Sequence, residues 1–334
     1  MGRARQHPAL PTRDGVSASC VALPQGPWTC LLDFMAERFS RVQRETWIER
    51  FAQGLVFNAQ GHAVTAHTPY QAHTRLYYYR DVPHEPALPF KANVLFQDAH
   101  LVVVDKPHFM PVTPAGRYVT QSLLVQLKQT LGLDTLTPVH RIDRETAGLV
   151  LFGKRPEDRN GYHALFRQQR IHKTYHAVAA YRPEMAWPQV HQSRLIPGEP
   201  FFRMQEVPGP ANSETRIHLL CHEGARALYQ LEPITGKRHQ LRIHMQALGL
   251  PIEGDQFYPQ VLRGPGEAED FTRPLQLLAR SVAFTDPITG RARHFTSGQH
   301  LRQHCSGRKY LAHCINLAPS NPDGIPTRPV ARFR

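Results

Sequence analysis

The residues best suited to chemistry form one run, His140-Arg141-Ile142-Asp143-Arg144-Glu145, which leads through Thr146-Ala147-Gly148 into Leu149-Val150-Leu151-Phe152. The apolar run is short, aliphatic and bounded by Gly148 and Gly153. That pattern suits a buried strand better than a helix. Asp143 is therefore expected on a loop beside a rigid strand, between two arginines. A carboxylate held there can attack an electrophilic carbon or take a proton; it can equally be a turn residue neutralised by its neighbours. A second basic run, Thr235-Gly236-Lys237-Arg238-His239-Gln240-Leu241-Arg242, sets Arg238 and Arg242 four apart. Four apart means one helix face. His300, His304, Cys305, His313 and Cys314 gather metal-ligating types, but at no spacing of a standard zinc site. No metal is expected.

The elements that must position these groups follow from pattern. Residues 94–106 read as a hairpin turning at Gln97–His100, ended by Pro107. Lys106, at its end, can face a polyanion or cap the strand. Residues 121–132 form an amphipathic helix that Gly132 stops. Pro156 opens a helix through about Gln169, and 173–181 alternates as a strand. Residues 185–211 are proline-rich and read as a loop. Two strands, 215–221 and 227–233, make another hairpin. A helix runs from a Thr235 cap to Gly249, with strands near 276–286. Hairpins alternating with helices indicate an α+β fold.

Five segments are expected: a disordered basic tail over 1–29, a small unit over 30–84, a proline-rich linker over 85–92, a large domain over 93–315, and a basic tail over 316–334. Leu31, Phe34, Met35, Phe39, Val42 and Ile48 give the small unit helical spacing ahead of short strands at 54–58 and 76–79.

The formal net charge is +13, which points to a polyanionic partner, most often nucleic acid. Residues 140–173 carry eight Lys or Arg against four Asp or Glu, so the excess also gathers around Asp143. No apolar run is long enough to span a bilayer, and no export signal is visible at the start. Five scattered cysteines argue against a disulfide scaffold and for a reducing, cytoplasmic setting.

His-Arg-Ile-Asp-x-x-Thr-Ala-Gly, residues 140–148, resembles the catalytic motif of the RluA-type RNA pseudouridine synthases, usually His-Arg-Leu-Asp-x-x-Thr-Ser-Gly. Ile142 and Ala147 are the departures. Three further stretches resemble the family in order: Val103-Val-Asp-Lys-Pro107, Lys173-x-Tyr-x-Ala177, and Gly236-Lys-Arg-His-Gln-Leu-Arg242 with Pro251-Ile-x-Gly-Asp-x-x-Tyr258 after it. Lys237 replaces the family's usual Arg. Residues 30–84 are similar to a small RNA-binding module that often precedes such domains. Six Arg balanced by six Asp or Glu over 31–86 leave it with an unusual charge for that task.

The resemblance implies a large mixed, mainly antiparallel sheet flanked by helices and loops, behind a small N-terminal α/β module. It implies conversion of uridine to pseudouridine in structured RNA, ribosomal or transfer, by a monomer, with no metal or cofactor required. Asp143 acts on the sugar, either at the anomeric carbon or by taking a ribose proton. Arg242 keeps that carboxylate ionised. Tyr175 stacks on the flipped uracil and assists at C5, or is a core tyrosine. Arg141 fills the gap in the stack, or grips phosphate. Ile142 and Leu241 line the base pocket; Arg238 contacts RNA. Beside this motif His140 and His239 are expected to make structural hydrogen bonds or RNA contacts rather than serve as bases. Two rivals are an RNA-binding protein of the same fold without activity, and a metal-dependent hydrolase.

Overall fold

The computed structural model describes residues 10–80, 85–264, 267 and 269–302. They form two compact units: one is the chain up to Glu145 with Leu149–Leu165 and Asp286–Gly290, the other is Thr146–Gly148, Phe166–Thr285 and the chain from Arg291.

The first unit begins with β1 (Ser19–Ala22), α1 (Leu31–Arg38), α2 (Arg44–Ala52), β2 (Val56–Phe57) and β3 (Arg75–Tyr78). The three strands form one sheet, ordered β1-β3-β2. Helix α1 turns Leu31, Leu32, Phe34 and Met35 inward, where Trp47, Phe51 and Leu76 meet them. Asp33 and Arg38 sit at the ends that the helix dipole favours. The expected disorder over 1–29 does not hold throughout: Ser19–Ala22 pairs with β3, and Val21 and Leu23 join the core. Two apolar side chains and a ladder offset the loss of chain entropy there. The expected linker is anchored at its start. The Glu85 carboxylate accepts the backbone N–H groups of Val119, Thr120 and Gln121 at 2.6–2.8 Å. Those N–H groups lie just before α3 (Leu123–Leu131), which ends at Gly132 in the left-handed region, φ 64.

β4 (Asn93–Gln97) and β5 (Leu101–Lys106) make the predicted hairpin. Asp98 closes its turn by accepting the N–H groups of His100 and Leu101, both at 2.8 Å. β6 (Thr137–Pro138) pairs with β7 (Ala147–Gly153), and β7 is buried along its whole length. α4 (Arg159–Arg167) starts three residues after the proline expected to open it. Ahead of it the chain makes tighter turns, with the Asp158 N–H donating to the Arg155 carbonyl at 3.3 Å and the Arg159 N–H to the Pro156 carbonyl at 3.4 Å.

The second unit contains β8 (Ile171–Ala180), β9 (Gln189–Pro197), β10 (Met204–Val207), β11 (Ser213–Glu223), β12 (Arg226–Pro233), α5 (Gln240–Ala247), β13 (Leu277–Thr285) and β14 (Ala292–Thr296). The order is β10-β9-β11-β12-β8-β13, antiparallel at each join, with β14 also on β13. Ala147 and Gly148 of β7 pair in parallel with Leu278 and Ala279. The α+β layout with a mainly antiparallel sheet is thus the one the sequence indicates. Gly148 has φ +107, and a Cβ there would lie 2.3 Å from the Ala279 carbonyl oxygen. Only glycine fits.

Two readings of this unit are corrected. Residues 185–211 are not one loop: the paired strands β9 and β10 occupy about half of it, and Pro200 falls in the turn between them. Helix α5 starts at Gln240, not at Thr235. The Thr235 hydroxyl donates to Gln240 Oε1 at 2.7 Å and accepts the Glu214 N–H at 3.0 Å, so it ties the approach loop to β11. Leu241 and Met245 of α5 pack on Ala177, Tyr229, Leu231 and Leu277.

Among the described residues Cys20 and Cys30 are free thiols. Among the described residues no helix is long and apolar enough to cross a membrane. The tail expected over 316–334, with His304, Cys305, His313 and Cys314, lies outside the described residues.

Candidate active site

Strands β5 and β7 neighbour each other and fix the loop that carries Asp143. Lys106, last in β5, is wholly buried, and its ammonium donates to the carbonyls of Pro107 at 2.9 Å and Arg144 at 3.0 Å. Burial pushes its pKa down to about 7, while the Glu145 and Asp143 carboxylates pull the other way. Lys106 therefore sits beneath the loop. Its burial favours the strand-capping role over the RNA contact. His140 ties the loop to the other strand: its Nε2 accepts the Leu151 N–H at 3.2 Å, which places the proton of the neutral ring on Nδ1. A structural hydrogen bond is one of the two roles expected of it, beside an RNA contact. Arg144 folds back on Glu145 at 3.0 Å, and His108 meets the Glu145 carbonyl at 2.7 Å. On this pinned loop Arg141 is exposed, and Ile142 and Asp143 are half-buried. The unit therefore brings Lys106, His140, Arg141, Ile142 and Asp143 together.

The second unit assembles the remaining candidates. Tyr175, half-buried on β8, packs on the apolar cluster that holds Leu241. Leu241 is itself 8% exposed. Arg242 is buried in a two-point ion pair: Nε donates to Asp255 Oδ2 at 2.7 Å and Nη2 to Asp255 Oδ1 at 2.6 Å. Asp255 Oδ1 also accepts the N–H groups of Phe257 at 2.8 Å and Tyr258 at 3.1 Å. The guanidinium lies over the rings of Phe257 and Tyr258, at 5.0 and 5.3 Å. Planar stacking with a bidentate carboxylate fixes its orientation. The sequence reading paired Arg242 with Asp143 and did not name Asp255. The available signal was the Gly254-Asp255 step in the fourth matched stretch. His239 precedes α5 at φ 54, with Nδ1 2.9 Å from the Tyr258 hydroxyl. Arg238 donates to the carbonyls of Phe201 at 3.1 Å and Arg203 at 2.7 Å, which ties it to the turn between β9 and β10.

One cluster has metal-ligating types. His191, Glu206 and His244 place ligand atoms within 4.8 Å of one another. The His244 nitrogens are engaged by hydroxyls: Nδ1 by Thr215 at 2.9 Å, and Nε2 by Ser213 at 3.0 Å and Ser193 at 3.2 Å. His191 meets Glu206 at 3.0 Å. Burial, then the nearby His191, lowers the His244 pKa to about 4. These contacts make a closed polar network that joins β9, β10, β11 and α5.

The profile of the RNA pseudouridylate synthases matches residues 100–247, which include Lys106, Asp143, Tyr175 and Arg242. The chain is 33% identical over 242 residues to an uncharacterised RNA pseudouridine synthase of Synechocystis sp., covering 71% of this chain and 80% of that one. It is 31% identical over 182 residues to a mitochondrial tRNA pseudouridine(32) synthase of Saccharomyces cerevisiae; that match covers 52% of this chain but only 39% of the yeast protein. The solved structure of human RNA pseudouridylate synthase domain containing 1 superposes with a TM-score of 0.54 at 18% identity, over 72% of this chain and all of that one. The last likeness concerns fold alone.

Proposed function

The chain belongs to the RNA pseudouridine synthase family, and on that premise we propose that it isomerises specific uridines of structured RNA, transfer or ribosomal, with Asp143 as the residue that acts on the sugar. The observation that carries this is the loop of residues 140–145. Hydrogen bonds from two core strands pin it, yet Asp143 stays half-buried at its edge rather than sealed inside. A reacting carboxylate needs both rigidity and access.

The glycosidic bond of a stacked nucleotide is out of reach, so the base must leave the stack. Arg141, exposed on the loop, takes its place. Asp143 attacks C1′ or removes the C2′ proton, and the uracil detaches. It turns against Tyr175, beside Leu241. Its C5 then bonds to C1′, and Tyr175 assists loss of the C5 proton. Arg242, oriented by Asp255, supplies the fixed positive charge that the reaction needs. Arg238, His239 and His140 support the RNA-facing loops. The reaction is internal to the nucleotide, so no electrons pass to an outside group. Residues 30–84 serve either as an auxiliary RNA contact or as a structural cap, and the protein acts as a monomer.

The rival is an RNA-binding protein of the same fold without activity. Transfer and ribosomal RNA from cells that lack this protein are the test. After incubation with the purified protein, pseudouridine should appear at discrete uridines in one of the two fractions, as read by mass spectrometry of nuclease fragments. RNA bound without any gain in pseudouridine would favour the rival.

A further inference from the structure

Among the described residues, three lysines have an ammonium that burial disfavours: Lys106, Lys128 and Lys173. For the first two an acidic group offsets the cost, Glu145 with Asp143 for Lys106 and Asp134 for Lys128. Lys173 has no such offset. Burial pushes its pKa down to about 8, and no charged neighbour contributes. Its ammonium makes one hydrogen bond among the described residues, a long one of 3.4 Å to the Thr235 carbonyl. Two N–H groups and a full charge are left for something else. A partly desolvated cation without an anion costs free energy until one arrives.

Its place suggests which anion. Lys173 lies on β8 two residues before Tyr175, and side chains two apart on a strand share a face. That face carries Tyr175 and Ala177 onto the cluster with Leu241, and the Thr235 carbonyl holds the amine on the same side. Partial removal from water makes a fixed charge there act more strongly than it would in bulk solvent.

We propose that Lys173 is a further catalytic residue, which sets its ammonium against a carbonyl oxygen of the target uracil and stabilises the charge that ring gains as it detaches. This rests on the reading of Tyr175 as the wall behind the uracil. By either route the C1′–N1 bond breaks and its electron pair stays with N1. If the Asp143 carboxylate attacks C1′, an ester forms and the uracil leaves as its anion. If the carboxylate takes the C2′ proton, a C1′–C2′ double bond forms and the same anion departs. The charge spreads to O2 and O4, where an ammonium donates. C5 then bonds to C1′, and the ester breaks or the proton returns to C2′. The C5 proton leaves and N1 is protonated. Lys173 keeps its own proton throughout.

The test uses full-length protein and RNA from cells lacking it, labelled with uridine tritiated at C5, so that each turnover releases tritium. Lys173→Met should cut the rate at saturating enzyme by at least about 100-fold, the scale for losing one preorganised donor to a developing charge. RNA affinity should stay within about twofold, and Tm should not fall, because the lost charge had no partner. Lys173→Arg should recover part of the rate. For the wild type, kcat/KM should decline as pH rises through about 8, where the free enzyme's ammonium is lost; Lys173→Arg should hold it to higher pH. A Met variant within twofold of wild type at saturation overturns the proposal. So does one whose whole defect is weaker RNA binding with a shallower salt dependence, the mark of a phosphate contact. A wild type that releases no tritium, or an active Asp143→Asn variant, brings down the reading of the site itself and this proposal with it.

Discussion

Arg242 and Asp255 form a buried pair, with side-chain exposures of 0% and 1%. Removing one member leaves an uncompensated charge and costs about 3–5 kcal/mol. Asp255→Asn should therefore destabilise the protein by at least about 2 kcal/mol in urea unfolding and lower activity by loosening Arg242. A loss under about 0.5 kcal/mol would mean that the pair does not hold the guanidinium. The same argument makes Arg242→Ala a poor probe of chemistry alone, since a fold defect accompanies it. Asp143, Tyr175 and Arg242 were legible as candidates because residue type and motif spacing are properties of the string. Asp255 and Lys173 stand in matched stretches, but their roles were not legible. Their importance comes from burial and from which charges share a site, and neither is written locally.

At the scale of elements, β7 and α5 deliver the candidate groups and respond to different stresses. Gly148 admits no Cβ against the Ala279 backbone. Gly148→Ala must shift the β7–β13 join, and should cost roughly 2 kcal/mol or more in stability and most of the activity. A variant with unchanged Tm would contradict the close approach. Buried His244 of α5 is neutral, with its pKa lowered to about 4 against 6.5 for an ordinary histidine. Between those values the unfolded chain binds the proton and the folded one does not. Stability is therefore lost as pH falls from about 6.5 towards 4, by up to roughly 3 kcal/mol from this group. His176, lowered to about 4 chiefly by burial, adds in the same direction. His244→Gln should flatten the acid limb of a plot of unfolding free energy against pH; an unchanged limb would contradict a buried neutral ring. The hairpin β4–β5, the stop of α3 at Gly132 and the strand β8 were readable from periodicity and turn residues. The β9–β10 pair was hidden by its prolines, which lie at strand ends and in the turn. The start of α5 was hidden because Thr235 has the chemistry of a cap but spends it on Gln240 and Glu214.

For the whole molecule, the +13 charge should make RNA binding electrostatic. Affinity for the RNA fraction should fall roughly tenfold or more between 50 and 200 mM salt; a flat response would argue against a basic RNA surface. The α+β class was readable because hairpins alternate with helices, and the two-unit division was not, because it cuts through β7 rather than following the proline-rich stretch at 85–92. The most direct test of the account is pseudouridine formation by Asp143→Asn beside wild type, on RNA from cells lacking the protein, with RNA affinity measured in parallel. The account predicts a variant that binds RNA within about threefold of wild type and forms no pseudouridine above the enzyme-free level. Pseudouridine made by the variant at a rate near the wild type's would contradict it.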